Sequence, residues 1–257
     1  MEARDARKTP KGRANGNWLI LIFLLCLFLP ALALSEPTIE EHTKIIESNP
    51  QDAGAYRDRG RAYYDEKKYD EAVADYTRAI ELKPNDVLYI HDRGVAYYFL
   101  QKYEEAIVDF TQAIELDANA AGYYYDRGNA YKKLKEYDAA IVDYSKAMEL
   151  LPTGAAYFFS RGDAYHKQQK YDEAIVDYTR AIELDSESAV YANNRGNAYY
   201  DQKKYDEALA DYTSAIELSP DTAQYYENRA SAYTALGNNA AAAADLEKVE
   251  ELAVRIQ

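Results

Sequence analysis

Apolar and small residues between Ala53 and Asp86 recur at the spacing of helices. Tyr56, Gly60 and Tyr63 share one stripe at i, i+4 and i+7, and Tyr69, Ala72, Tyr76 and Ala79 form another. The polar run "DEKK" at 65–68 separates the two stripes, and Pro84 stops the second. The pattern predicts a hairpin of two antiparallel helices. Counting from Ala53 as position 1, opposed positions in such a hairpin sum to a constant, and 8 with 20, 11 with 17 and 4 with 24 each give 28. Gly60 is thus expected against Ala72, Tyr63 against Tyr69, and Tyr56 against Tyr76.

The hairpin is copied along the chain. Arg-Gly recurs at 59–60, 93–94, 127–128, 161–162 and 195–196, and Arg229-Ala230 completes a series with a constant spacing of 34. Six units without insertions then fill 53–86, 87–120, 121–154, 155–188, 189–222 and 223–256, making 53–257 one all-α repeat domain. A glycine inside a helix costs about 1 kcal/mol relative to alanine. Its recurrence at position 8, opposite an invariant alanine at position 20, predicts close approach of two backbones. Tyrosines above and below are expected to fill the wedges, which accounts for much of the excess of 27 tyrosines over 6 phenylalanines.

The first residues follow another pattern. Residues 1–17 carry a net charge of +3, "WLILIFLLCLFL" runs from Trp18 to Leu29, and "PALAL" follows. This reads 1–34 as a signal peptide cleaved after Ala33, or as a membrane anchor over 18–34. The protein is accordingly expected to be exported, secreted or periplasmic, with membrane attachment only through that segment if it stays uncleaved. Cys26 is the only cysteine, so no disulfide framework exists, and Leu25 before it is too large for a lipoprotein signal. The chain's charge of −14 argues against nucleic acid and anionic membrane surfaces as partners.

The unit resembles the tetratricopeptide repeat family over about four-fifths of the chain. The family's signature residues stand here as Tyr56, Gly60, Tyr63, Ala72, Tyr76, Ala79 and Pro84, and later units are nearly as faithful. Ala118 and Ser186 replace the proline, and the last unit has Leu246 and Val249 where the signature has an aromatic residue and an alanine. The resemblance implies an α-solenoid of six helix–turn–helix repeats, a right-handed superhelix whose first helices line a concave groove. Residues 35–52 are read as a linker and one capping helix, with Ile45, Ile46 and Pro50 at positions 27, 28 and 32 of an earlier unit. No capping helix follows the sixth unit. Its second helix is lengthened, with Leu252 and Ile256 expected at the surface and self-association through that end a possible consequence.

Two departures from the family recur in every unit. Arginine stands at position 7 (Arg59, Arg93, Arg127, Arg161, Arg195, Arg229) and aspartate at position 23 (Asp75, Asp109, Asp143, Asp177, Asp211, Asp245). Position 21 opposes position 7, so the aspartate is displaced by about 3 Å along the axis, within reach of a guanidinium fork. A ladder of six structural ion pairs within units is the expectation. Bridging to the neighbouring unit is the alternative, but it leaves Arg59 and Asp245 alone.

The family's groove positions 2, 5, 6, 9, 12 and 13 place Arg57, Arg61, Tyr64, Tyr98, Tyr125, Asn129, Lys132, Phe159, Asn194, Asn197, Tyr200 and Asn228 as peptide-groove candidates. They change from aromatic and mixed-charge at the first units to amide-rich at the last. Asparagine donates to and accepts from a peptide backbone, and tyrosine faces cover apolar side chains. The same residues could instead serve contacts between helices. No three units carry the lysine, asparagine and arginine set by which some family members hold a terminal carboxylate. His42, His91 and His166 lie in three separate segments, and the carboxylates repeat with the unit, so no metal, cofactor or catalytic residue is assigned. The sequence reads as a non-enzymatic scaffold for a protein or peptide segment. The alternative is a self-associating structural element of an exported or cell-envelope assembly.

Overall fold

Asp52 and Asp86 punctuate the repeat. Each lies in extended backbone and its carboxylate accepts a backbone N–H from the helix that follows, from Ala55 and Leu88 respectively, at 3.1 Å. This satisfies donors that the first helical turn leaves open. The first helix of each unit ends in a left-handed turn, at Lys67, Gln101, Lys135, Gln169 and Lys203 with φ of 60–64° and at Gly237 with φ 77°. In the first unit Lys68 N–H donates to Tyr63 C=O at 2.9 Å and Lys67 N–H to Tyr64 C=O at 2.8 Å. That paired closure satisfies terminal carbonyls and reverses the chain.

The computed structural model describes residues 38–254, and among them thirteen α-helices and no strand. A single helix, α1 (Ile39–Ser48), precedes the hairpins. The first three hairpins are α2 (Ala53–Asp65) with α3 (Tyr69–Leu82), α4 (Val87–Phe99) with α5 (Tyr103–Leu116), and α6 (Ala121–Lys133) with α7 (Tyr137–Leu150). Then come α8 (Ala155–Lys167) with α9 (Tyr171–Leu184), α10 (Ala189–Asp201) with α11 (Tyr205–Leu218), and α12 (Ala223–Ala235) with α13 (Asn239–Val254). The expected signal or anchor over 1–34 lies outside the described residues, as does Ile256. No helix among the described residues is long and apolar enough to cross a membrane.

Each helix packs on its chain neighbours. Beyond these, the helix contacts among the described residues join successive first helices: α2 to α4, α4 to α6, α6 to α8, α8 to α10 and α10 to α12. Among the described residues the backbones of successive second helices do not come close. The stack is therefore tighter on the first-helix side and curves with those helices inside, as an α-solenoid.

The core is a chain of small clusters rather than one mass. In five of them, the alanine at position 20 and the ring at position 24 meet an alanine at position 10 of the next unit: Ala72, Tyr76 and Ala96, then Ala106, Phe110 and Ala130, and so on. The role of the glycine differs from the pairing sum. A Cβ on Gly60 would lie 2.8 Å from the Tyr76 ring, and one on Gly128 would lie 2.8 Å from the Tyr144 ring. Helical side chains lean one turn towards the N-terminus, so the ring from position 24 arrives at the level of position 20 and covers the glycine. Backbone proximity is felt as well at Gly162, where a Cβ would stand 3.2 Å from the Ala174 carbonyl. The expected partner of Tyr76, Tyr56, instead packs with Ala53, Ala79 and Tyr89. In the sixth unit, where position 24 is Leu246, position 8 is Ala230. Methyl and ring are alternatives at this point.

Leu252 also departs from expectation. It is buried, because α13 runs back along α12 and meets Tyr225, Tyr226 and Val249. The surface of that end is formed by Leu246 and Val254, 50% and 74% exposed.

Arginine and aspartate pair inside every unit. The Nε and Nη2 groups of each position-7 arginine donate to the two oxygens of the position-23 aspartate at 2.7–2.9 Å. All six aspartates are buried. The remaining Nη1 donates to a hydroxyl one unit earlier, Thr43, Thr77, Thr111, Ser145, Thr179 or Thr213, at 2.9–3.3 Å. Guanidinium carbons lie 5.7–5.9 Å from the rings at positions 4 and 11, on both sides at Arg59 and Arg229. The pair thus holds its own hairpin shut, while the third donor fastens it to the preceding second helix. Helix α1 supplies Thr43, the first hydroxyl of the series.

Two outcomes follow from this packing. Arg127→Leu strands a buried carboxylate and is expected to lower stability in urea by about 3–5 kcal/mol. Arg127→Leu combined with Asp143→Tyr recovers most of that loss, and an unchanged midpoint for the single variant contradicts the pairing. Gly128→Ala is expected to destabilise by about 1–3 kcal/mol despite alanine's better helix propensity. Adding Tyr144→Leu, which copies the last unit, makes the alanine neutral or favourable in the same titration.

Candidate functional site

The inner face is built around a seam that repeats at each junction. The side chain at position 5 lies on the tyrosine at position 3 of the next unit. His91 meets Tyr123 at 4.9 Å between ring centroids, Tyr125 meets Tyr157 at 5.0 Å, and Phe159 meets Tyr191 at 4.9 Å. At the first junction the Arg57 guanidinium stands 5.9 Å from the Tyr89 ring centre. Position 5 also reaches position 6 of the next unit. Arg57 Nε donates to Asp92 at 2.7 Å, His91 Nε2 lies 2.8 Å from Asp126, and Ser160 donates to the Tyr125 hydroxyl at 3.4 Å. At the last junction Asn228 donates to Asn193 at 2.7 Å.

Further along the same helices Lys132 pairs with Asp163 at 3.0 Å and His166 with Asp201 at 2.9 Å. At the floor, the hydroxyl at position 24 donates to position 9: Tyr144 to Asn129 at 2.8 Å and Tyr212 to Asn197 at 2.9 Å. The fourth unit has Asp163 at that place, already taken by Lys132, and the buried Tyr178 hydroxyl has no partner among the described residues. Burial pushes the hydroxyls of Tyr76, Tyr144, Tyr178 and Tyr212 far above the usual phenol range. They are protonated donors at every working pH.

Aromatic rings collect at the first two units. Tyr64 contacts Tyr69 at 5.4 Å and Phe99 at 5.5 Å, Phe99 stacks on Tyr69 at 5.4 Å, and Tyr98 meets Phe99 and Tyr103. The Tyr64 hydroxyl is pushed up, first by burial, then by Tyr69 and the carboxylates of Asp65, Asp126 and Asp92. Three carboxylates from three units thus act on one point. At the opposite end Tyr200 meets Tyr205 at 5.3 Å and lines a cavity of about 410 Å³ with Glu227, Ser231, Thr234 and Leu246.

All the groove candidates lie on first helices, but they are not equally available. Arg57, Tyr125, Asn129, Lys132, Asn197 and Asn228 are engaged across helices, and Phe159 rests between Tyr178 and Tyr191. Asn194 donates to Val190 C=O in its own helix at 2.8 Å. Arg61 is exposed, as are Phe99, Lys133 and Lys167 on the same face. The position-3 tyrosines and the position-25 hydroxyls are contacts between units that the stripe pattern left out. Their signal was repetition alone: tyrosine at 89, 123, 157, 191 and 225, and hydroxyls at 43, 77, 111, 145, 179 and 213.

Solved structures share this architecture. YrrB is 25% identical, with 73% of this chain and 97% of that chain covered and a TM-score of 0.61. A MamA protein is also 25% identical, over 67% of this chain and 94% of that chain, with a TM-score of 0.61. PilF of Pseudomonas aeruginosa, 17% identical over 79% of this chain and 94% of its own, has a TM-score of 0.67 and a common fold. Among curated proteins none matches the chain significantly. A family model described as "TPR repeat" matches residues 60–101, 94–135, 128–169, 162–202 and 196–237, and one described as "Tetratricopeptide repeat" matches 223–253. With the hairpins, the ring-over-glycine packing and these matches in agreement, the chain belongs to the tetratricopeptide repeat family.

Proposed function

We propose that the chain is a non-enzymatic scaffold that holds an extended peptide or protein segment along the face of its first helices. The observation that carries this reading is the seam. It fixes each first helix on the next through positions 3, 5 and 6, so the face is formed before a partner arrives. A preformed surface limits the entropy lost on binding. Arg61, Phe99, Lys133 and Lys167 project from it and are available to a partner. YrrB is described as having an unusual peptide-binding site, which is consistent with this use of the fold. In this reading residues 1–34 export the chain, and an uncleaved 18–34 tethers the same scaffold to a membrane.

A second reading is self-association through the C-terminal end. It is favoured by the exposure of Leu246, which lines the 410 Å³ cavity, and of Val254. Crosslinking in the exported compartment with the full chain and an Arg61→Glu, Lys133→Glu, Lys167→Glu variant separates the two. The variant is expected to keep its melting temperature within about 2 °C and to lose the captured partner. Capture that survives the triple substitution and disappears with Leu246→Glu overturns the groove and establishes the second reading.

A further inference from the structure

Positions 9 and 24 meet at the floor of the inner face, and four units fill them with a polar residue and a tyrosine. The pairs are Arg61 with Tyr76, Asn129 with Tyr144, Asp163 with Tyr178, and Asn197 with Tyr212. The second unit has Val95 with Phe110. Both polar groups are lost together, and the space that a hydroxyl and an amide occupy elsewhere becomes an apolar socket of about 190 Å³. Its lining is Val95, Tyr98, Phe99, Phe110, Asp126 and Asn129. That is below the volume of an ordinary small-molecule pocket and matches one large side chain.

We propose that this socket, at the boundary of the second and third units, takes a leucine-sized or aromatic side chain followed by a lysine or arginine in the partner peptide. The proposal rests on the groove reading and names its anchor. The floor is closed by Phe110, 1% exposed, whereas Phe99 on the wall is 47% exposed and 5.7 Å from Tyr98 between ring centroids. A buried apolar side chain gains most where it leaves water against such rings.

The lip is polar and has unused capacity. Asp126 Oδ2 holds His91 at 2.8 Å, while Oδ1 has no hydrogen-bond partner among the described residues. Asn129 accepts from Tyr144 through Oδ1, which leaves its amide N–H groups to donate to a peptide carbonyl. Asp126, with one oxygen unpaired, is the one charged group of the lining. Asp92 close by is held by Arg57 at 2.7 Å, and the carboxylates of Asp65, Asp126 and Asp92 each raise the Tyr64 hydroxyl beside the Phe99 wall. Within a chain of net charge −14, this favours a cation next to the apolar anchor and disfavours a carboxylate.

The test uses the full chain and fluorescein-labelled, acetylated peptides read by anisotropy at low salt. The parent peptide is Ser-Gly-Ser-Leu-Lys-Ser-Gly-Ser-Gly, and its sisters carry Ser for Leu or Glu for Lys. The double variant Val95→Asn, Phe110→Tyr gives the second unit the pair that the third unit already packs, and its thermal melt checks the fold. The parent peptide is expected to bind wild type about tenfold or more tightly than either sister. The variant loses the preference for Leu over Ser and keeps that for Lys over Glu, because Asp126 is untouched. Equal binding of the Leu and Ser peptides to wild type, or an undiminished Leu preference in the variant, overturns the socket and leaves the groove standing. Failure of these and of a degenerate nine-residue library to bind at all overturns the groove reading with it. A wild-type dimer in ultracentrifugation that the double variant does not form assigns the socket to a second copy and overturns the foreign peptide.

Discussion

The three-way contact of arginine, aspartate and hydroxyl is the constraint on which the rest of the architecture hangs. A guanidinium between two helices of one hairpin has more donors than a single carboxylate can take. Here the surplus donor reaches the hydroxyl of the previous second helix, and the guanidinium therefore fixes two relations at once. A lysine offers no fork to make that double contact. The hydroxyl is itself oriented: Thr43 and Ser145 donate to carbonyls of their own helices, at 2.7 Å in both cases, and so turn a lone pair to the arginine. Buried ion pairs do not reliably exceed apolar packing in net stability. Their contribution in this stack is to set register and angle from unit to unit, and the inner face inherits its shape from them.

That dependence explains the composition. Tyrosines at positions 4 and 11 flank the guanidinium, those at position 24 cover glycine, and those at position 3 carry the seam. Each uses a flat ring with a polar rim where one side is packed and the other meets a donor, an acceptor or water. Both departures at position 24, Phe110 and Leu246, line cavities. Function in a repeat stack is carried by such breaks in repetition. An invariant residue serves architecture, and a residue that changes while its neighbours hold still is free to answer to a partner.

Much of the fold was legible because the chain carries its own comparison. Six copies in register expose the helices, the hairpin and the arginine–aspartate pairing without any second sequence. What escaped was three-dimensional offset. Antiparallel summation placed Ala72 over Gly60, but side-chain lean brings the Tyr76 ring there instead. Likewise Lys67, Gln101, Lys135, Gln169 and Lys203 hold a left-handed backbone that lysine and glutamine do not advertise, and only Gly237 in the last copy signals it. The family's groove positions all fall on first helices, yet half of the named residues are engaged with neighbouring units. Spacing of 35 between such partners is invisible to a reading made one unit at a time.

The pairing of Ala230 with Leu246 bears on how such an array can vary. In the inner units the ring at position 24 fills the space over its own glycine and also receives the next unit's alanine. The sixth unit has Leu246 in place of that ring, over Ala230 in place of glycine, and half of the leucine stays open to solvent. The glycine-and-ring pair is one seat shared by two units, so exchanging either residue alone disturbs the fit on both sides of it.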